Sequence, residues 1–194
     1  MLLTAGADPN QGNQLNGSLP LLVTIRRSSD HIADGALTVQ ELIDHHCNIH
    51  AHEYQPPYYG ESALNLSINR SQDAITEKLI RSGADVDEKS INGQRPFVRL
   101  VKEGKTELAK LALANSTTRS LHSDLMAIEE ERNSVANSDP ELFAYLFSEG
   151  SFFPRLKHLS RVKIRAWLGS SADRVIPKLQ LPYSLRKYLL LGEL

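Results

Sequence analysis

The pentapeptide Gly6-Ala7-Asp8-Pro9-Asn10 returns as Gly83-Ala84-Asp85-Val86-Asp87, with a weaker copy at His46-Cys47-Asn48-Ile49-His50. Each copy follows the apolar end of a helical pattern: Met1-Leu2-Leu3, Glu41-Leu42-Ile43 and Lys78-Leu79-Ile80. A second landmark recurs between them, a Gly, then two residues, then a Pro or Ala at the head of an apolar stretch. Its copies are Gly17-Ser18-Leu19-Pro20-Leu21, Gly60-Glu61-Ser62-Ala63-Leu64 and Gly93-Gln94-Arg95-Pro96-Phe97. Gly60 and Gly93 stand 33 residues apart and Gly17 and Gly60 stand 43 apart. A period of this size is the mark of a stacked array, in which no unit buries its apolar face alone and neighbours supply the core.

Each unit reads as a helix, a tight turn, a second helix and an extended loop. In the unit that opens at Gly60, Leu64, Leu66 and Ile68 belong to the first helix and Ile75, Leu79 and Ile80 to the second. The Gly after each second helix suits a left-handed C-cap. The Pro that opens a first helix suits position N1, where its missing N–H costs nothing. The longer first interval holds about ten extra residues, placed around Ser28 to Leu37 and in the loop Glu53 to Tyr59. A degenerate fourth unit is expected from about Ser123 to Gly150. The chain opens on the end of a second helix, as expected of a truncated or short version of a longer array.

Charge divides the chain in two. Residues 151–194 carry nine basic residues against Asp173 and Glu193, a net +7. The first 150 residues carry 13 basic and 21 acidic residues, a net −8. Such asymmetry places a domain boundary near residue 150, giving domains 1–150 and 151–194. In the second, Leu156, Leu159, Ser160, Ile164, Trp167 and Leu168 share one face of an amphipathic helix. Its basic residues read as the solvated face, and Trp167 and Leu168 as core of the module itself. Gly169 ends the helix. Ile176 to Pro182 holds two prolines and reads as extended or turn-like, and a last helix runs through Leu185, Tyr188, Leu189 and Leu190.

The first 150 residues resemble the ankyrin repeat. The hallmark Thr-Pro-Leu-His tetrapeptide stands as Leu19-Pro20-Leu21-Leu22, Ser62-Ala63-Leu64-Asn65 and Arg95-Pro96-Phe97-Val98. The basic tail resembles a SOCS box. Leu156, Ser160 and Ile164 occupy the Leu, small-residue and aliphatic positions of that family's first helix. Ile176, Leu179, Leu181, Pro182, Leu185, Tyr188 and Leu189 fill its second element, with Gln180 replacing the usual first Pro and Arg155 preceding the helix leucine. Together the two resemble the ankyrin repeat and SOCS box family.

The resemblance implies an all-α ankyrin solenoid of about three recognisable repeats plus a degenerate one, followed by a small helical SOCS box. It implies a non-catalytic adaptor of a ubiquitin ligase. Leu156, Leu159, Ser160 and Ile164 would meet the elongin B–elongin C pair. Ile176, Leu179, Leu181 and Pro182 would help recruit cullin-5 with its RING subunit. The repeats would hold an unidentified protein substrate, with Gln11 to Asn16, Tyr54 to Tyr59 and Glu88 to Gln94 as candidate contacts by position. The alternative is an ankyrin interaction scaffold without ligase recruitment.

Other chemistry has less support. His45, His46, Cys47, His50 and His52 are metal-ligand types, but a helix end and turn splay them and the repeat pattern explains them; no metal or cofactor is expected. Pro56-Pro57-Tyr58-Tyr59 matches a WW-domain ligand pattern, against which stands ordinary turn chemistry. No phosphate-cradling loop or nucleophile–base pattern is visible. One cysteine excludes an intrachain disulfide, and no apolar run reaches membrane-spanning length. An intracellular, cytoplasmic protein with possible nuclear access is expected, without nucleic-acid or membrane partners.

Overall fold

In the computed structural model, residues 3–14, 17–28, 32–116 and 156–190 are described. Their regular elements are helical, and the one ladder-type pairing among them is an isolated antiparallel bridge between His52 and Ser62. Six helices form three successive pairs: α1 (Pro20–Arg27) with α2 (Ile32–Asp44), α3 (Ala63–Asn69) with α4 (Asp73–Arg81), and α5 (Pro96–Lys102) with α6 (Thr106–Asn115). The first helices α1, α3 and α5 pack side by side as one layer, and α2, α4 and α6 as a second. This is the stacking that the repeat period predicts.

Local chemistry explains the starts. Pro20 and Pro96 sit in the first turns of α1 and α5. Ser62 caps α3, its hydroxyl accepting from the Asn65 N–H at 3.3 Å. The turns behave alike despite their different residues. Gly6 and Gly83 adopt φ +92° and +94°, and His46 takes the same left-handed region at +63°.

Leu64, Leu66, Ile68, Ile75, Leu79 and Ile80 are all buried, together with Leu21, Leu22, Ile25, Ile43, Phe97 and Leu100, in one core that runs through all three pairs. Buried polar groups tie the pairs together. The Gln72 amide donates to the Ile25 carbonyl at 2.8 Å, and the Asn65 amide to that of Glu88 at 3.3 Å. Glu53 is buried and paired with Arg26 at 3.2 Å.

Part of the extra length in the first interval lengthens α2 itself to 13 residues, against nine in α4 and ten in α6. The expected fourth unit, Ser123 to Gly150, lies outside the described residues. The second body begins with α7 (Leu156–Leu168). A 3-10 turn (Gly169–Ser171), α8 (Ala172–Val175), a second 3-10 turn (Ile176–Lys178) and α9 (Tyr183–Leu189) follow. Its own core is thin: Ala172, Ile176 and Leu189 are buried, with Leu168, Leu181 and Leu190 packed against them. A core that small is stabilised chiefly by what it docks on.

Candidate functional site

Helix α7 lies with Arg161 and Arg165 inward, the reverse of the orientation expected from its pattern. Arg161 and Arg165 are 5% and 3% exposed, whereas Ser160, Lys163, Ile164 and Trp167 face outward. The reason is the set of acceptors offered by the helix stack. Arg161 donates to the Ala114 carbonyl at 2.9 Å, near the C-terminus of α6, and lies 4.6 Å from the centre of the Tyr188 ring. Arg165 donates to the carbonyl of Arg81, the last residue of α4, to that of Leu189 at 2.9 Å, and to the Asp173 carboxylate at 3.1 Å. Arg174, more exposed, reaches the carbonyl of Asp44, the last residue of α2, at 3.2 Å.

The C-terminal module therefore sends one arginine to the C-terminal end of each of the three described second helices. Unpaired carbonyls there form the negative pole of the helix. Guanidinium groups meet that need with several donors in a fixed fork. Each contact joins residues far apart in the chain, so the arginines fix the module against the repeats rather than serving the module alone.

With Arg161 and Arg165 inward, apolar surface is left outside. Trp167 is 86% exposed and Ile164 40%, so Trp167 is not core, contrary to expectation. Leu168 does pack on the module core, as expected. Leu159 is half-buried and Ser160 exposed. Leu156 opens α7, but its side chain lies outside the described part of the structure.

In the following segment the four residues expected at the cullin contact separate into two kinds. Ile176 is fully buried, so it holds the segment in place from beneath. Leu181 is half-buried against the same core, while Leu179 and Pro182 are exposed. The segment turns tightly, with Leu179 N–H donating to Ile176 at 3.2 Å and Leu181 N–H to Leu179 at 2.8 Å. Pro182 then precedes α9 at its N-cap position.

A cleft of about 240 Å³ opens where the module meets α2 and α4. Its polar side chains already engage one another: Lys78 donates to Gln40 at 3.0 Å and Arg81 to Glu77 at 2.8 Å. It is a seam between packed bodies.

The remaining sequence candidates fall as follows. Pro56-Pro57-Tyr58-Tyr59 is folded into consecutive hydrogen-bonded turns, with Tyr58 N–H on the Gln55 carbonyl at 3.1 Å and Glu61 N–H on that of Tyr58 at 2.9 Å. Tyr58 packs on the core, so the segment is not the extended ligand that a WW domain grips. Tyr54 and Tyr59 are exposed and meet edge to face at 6.4 Å, with exposed Ile91 on the next loop. No three His, Cys, Asp or Glu among the described residues are grouped to hold a metal ion. His52 instead bonds Glu88, and Cys47 is buried, its thiol pushed up to about 11 by desolvation. No helix among the described residues is long and apolar enough to cross a membrane.

A family model for the SOCS box matches residues 153–190, the stretch that contains the three arginines and the exposed stripe. Over 134 residues the chain is 31% identical to the human protein named ankyrin repeat and SOCS box protein 9, covering 66% of this chain. The chain thus carries a SOCS box and is similar to a member of the ankyrin repeat and SOCS box family. It spans 42% of the length of that relative. In this chain, the inward arginines were not legible as such. The only trace in the sequence is that Arg161 and Arg165 stand four apart, on one face of α7.

Proposed function

We propose that this chain is the substrate-recognition adaptor of a cullin–RING ubiquitin ligase. In this reading residues 1–150 form an ankyrin solenoid that holds a protein substrate. Residues 151–194 form the SOCS box. Leu156, Leu159, Ser160 and Ile164 meet elongin C of the elongin B–elongin C pair. Leu179 and Pro182, with Leu181 beside them, face cullin-5 and its RING subunit, and Ile176 supports that segment. The chain performs no chemistry of its own. It raises the effective concentration of substrate lysines near the conjugating enzyme.

The observation that carries this reading is the orientation of α7. Its polar anchors are turned onto the repeats, and the Ser160–Ile164 stripe of a matched SOCS box is left uncovered. Such a stripe suits a partner that receives a helix in an apolar groove. The rigid tie between module and repeats suits an adaptor, because a bound substrate is then held at a defined distance from the ligase.

The test is co-expression of the full chain with elongin B and elongin C, followed by size-exclusion chromatography. Leu156→Asp and Ile164→Asp serve as variants. Burying a carboxylate in an apolar pocket costs several kcal/mol, so both should abolish the complex while circular dichroism stays unchanged. Absence of a complex with the natural, folded chain would remove the ligase reading and leave an ankyrin scaffold without ligase recruitment.

A further inference from the structure

Trp167 is the only tryptophan of the chain and the most exposed of the large apolar side chains among the described residues. It does not belong to the four residues assigned to elongin above. At roughly 100° per residue, Leu156, Trp167, Ser160 and Ile164 fall within an arc of about 80° on α7. Trp167 therefore continues the same stripe by one further turn, past Ile164. An indole left almost wholly in water on an ordered helix gains more from a partner's pocket than any other side chain on this surface.

The setting of the indole also indicates what would receive it. The module carries nine basic residues against two acidic ones. With Arg161 and Arg165 turned inward, exposed Lys163 stands beside the stripe. An apolar groove bordered by carboxylates complements that combination, the apolar floor supplying affinity and the rim orientation and on-rate.

We propose that the docking stripe of this SOCS box extends to Trp167, and that the indole enters an apolar, acid-rimmed pocket on elongin C. This rests on the adaptor reading above, with Trp167 as an additional anchor and specificity residue of that interface. Ser160, a small residue with a hydroxyl at the centre of the stripe, fills little of an apolar groove. The larger contact is displaced one and a half to two turns along the helix.

The experiment uses the full chain and the purified elongin B–elongin C pair. Affinity is measured by calorimetry for the natural chain, Trp167→Ala, Trp167→Phe and Lys163→Glu. Incorporation of 5-fluorotryptophan into this chain alone gives a single fluorine resonance. Trp167→Ala should weaken binding roughly tenfold or more, with Trp167→Phe intermediate. Lys163→Glu should weaken it too, in a salt-dependent way. The fluorine resonance should lose its H2O/D2O isotope shift on binding, as the indole leaves water. Because Trp167 is exposed, its replacement leaves the thermal midpoint of the free chain unchanged, and loss of fold is separated from loss of contact.

A complex that forms normally with Trp167→Ala, while the fluorine resonance keeps its isotope shift, overturns this inference and leaves the adaptor reading standing. Failure of the natural chain to bind at all overturns both.

Discussion

The Arg165 guanidinium and the Leu189 carbonyl meet at 2.9 Å, and the same guanidinium also reaches the Arg81 carbonyl at the end of α4. One side chain thus closes the C-terminal module on itself and onto the repeats. Removing it strands two carbonyls and an Asp173 oxygen at the seam. Arg165→Ala should cost about 2–3 kcal/mol, in the range for hydrogen bonds to a charged group. Arg165→Lys should recover only part, since an ammonium cannot span the same fork of acceptors. Urea denaturation measures the loss. Limited proteolysis locates it, with the 156–190 region cut earlier while the 63–114 region stays protected.

The helix stack was legible in outline because two kinds of signal agree. Leu64, Ile75, Leu79 and Ile80 repeat with helical spacing, and the Gly83 turn marks where a helix must stop. Those cues are local, and each of these residues is buried where the pattern places it. The face that α7 turns outward was not legible. An arginine on an amphipathic helix ordinarily faces water. The groups that draw Arg161 and Arg165 inward are backbone carbonyls 47 and 84 residues away, which leave no trace in side-chain identity. Once they turn in, Trp167 must turn out, so these missed long-range contacts reversed two assignments. Ile176 is buried for a different reason. It sits in a matched surface motif, yet the module has so few apolar residues that one motif position has to serve as core.

Ile176→Ala tests that last point. Ile176 is fully buried in a cluster whose other buried members are Ala172 and Leu189. Truncation should cost roughly 2–5 kcal/mol, the range for an aliphatic core side chain. The effect should be confined to one end of the chain. Amide exchange in α7, α8 and α9 should accelerate, while α3 and α4, whose core is separate, keep their protection. Uniform acceleration through α3 and α4 would show that the two cores unfold as one.

His46 occupies the turn position that Gly6 and Gly83 occupy in their units, with φ +63° against +92° and +94°. A side chain in the left-handed region costs about 1–2 kcal/mol. Glycine there relieves that cost and gives back part of it as unfolded-state entropy. His46→Gly should therefore stabilise the chain by a few tenths to about 1 kcal/mol. Gly83→Ala should destabilise it by a similar amount, although nothing crowds a Cβ at that position. Urea midpoints of the two variants should move in opposite directions.

Cys47 is buried in the turn that follows α2, and desolvation by burial raises its thiol from 9.0 to about 11, against a smaller opposing effect of its backbone hydrogen bond. The folded chain thus holds the neutral thiol where the unfolded chain has already released its proton. Below pH 9 both states are protonated and Cys47 adds no pH dependence. From about pH 9 to about 11 only the unfolded state ionises, so the unfolded state gains and folding stability declines. Above that range both states are ionised and the decline ends. The measurement is a comparison, in which every other group is common to both proteins. Urea midpoints are followed from pH 7 to 11 for the natural chain and Cys47→Ala. The natural chain should lose more stability than the variant above pH 9, and the two curves should run parallel below it. Alkylation by iodoacetamide at pH 8 should follow the same logic. It should be slow in buffer and fast in denaturing urea, because the reactive thiolate forms only where the thiol meets water.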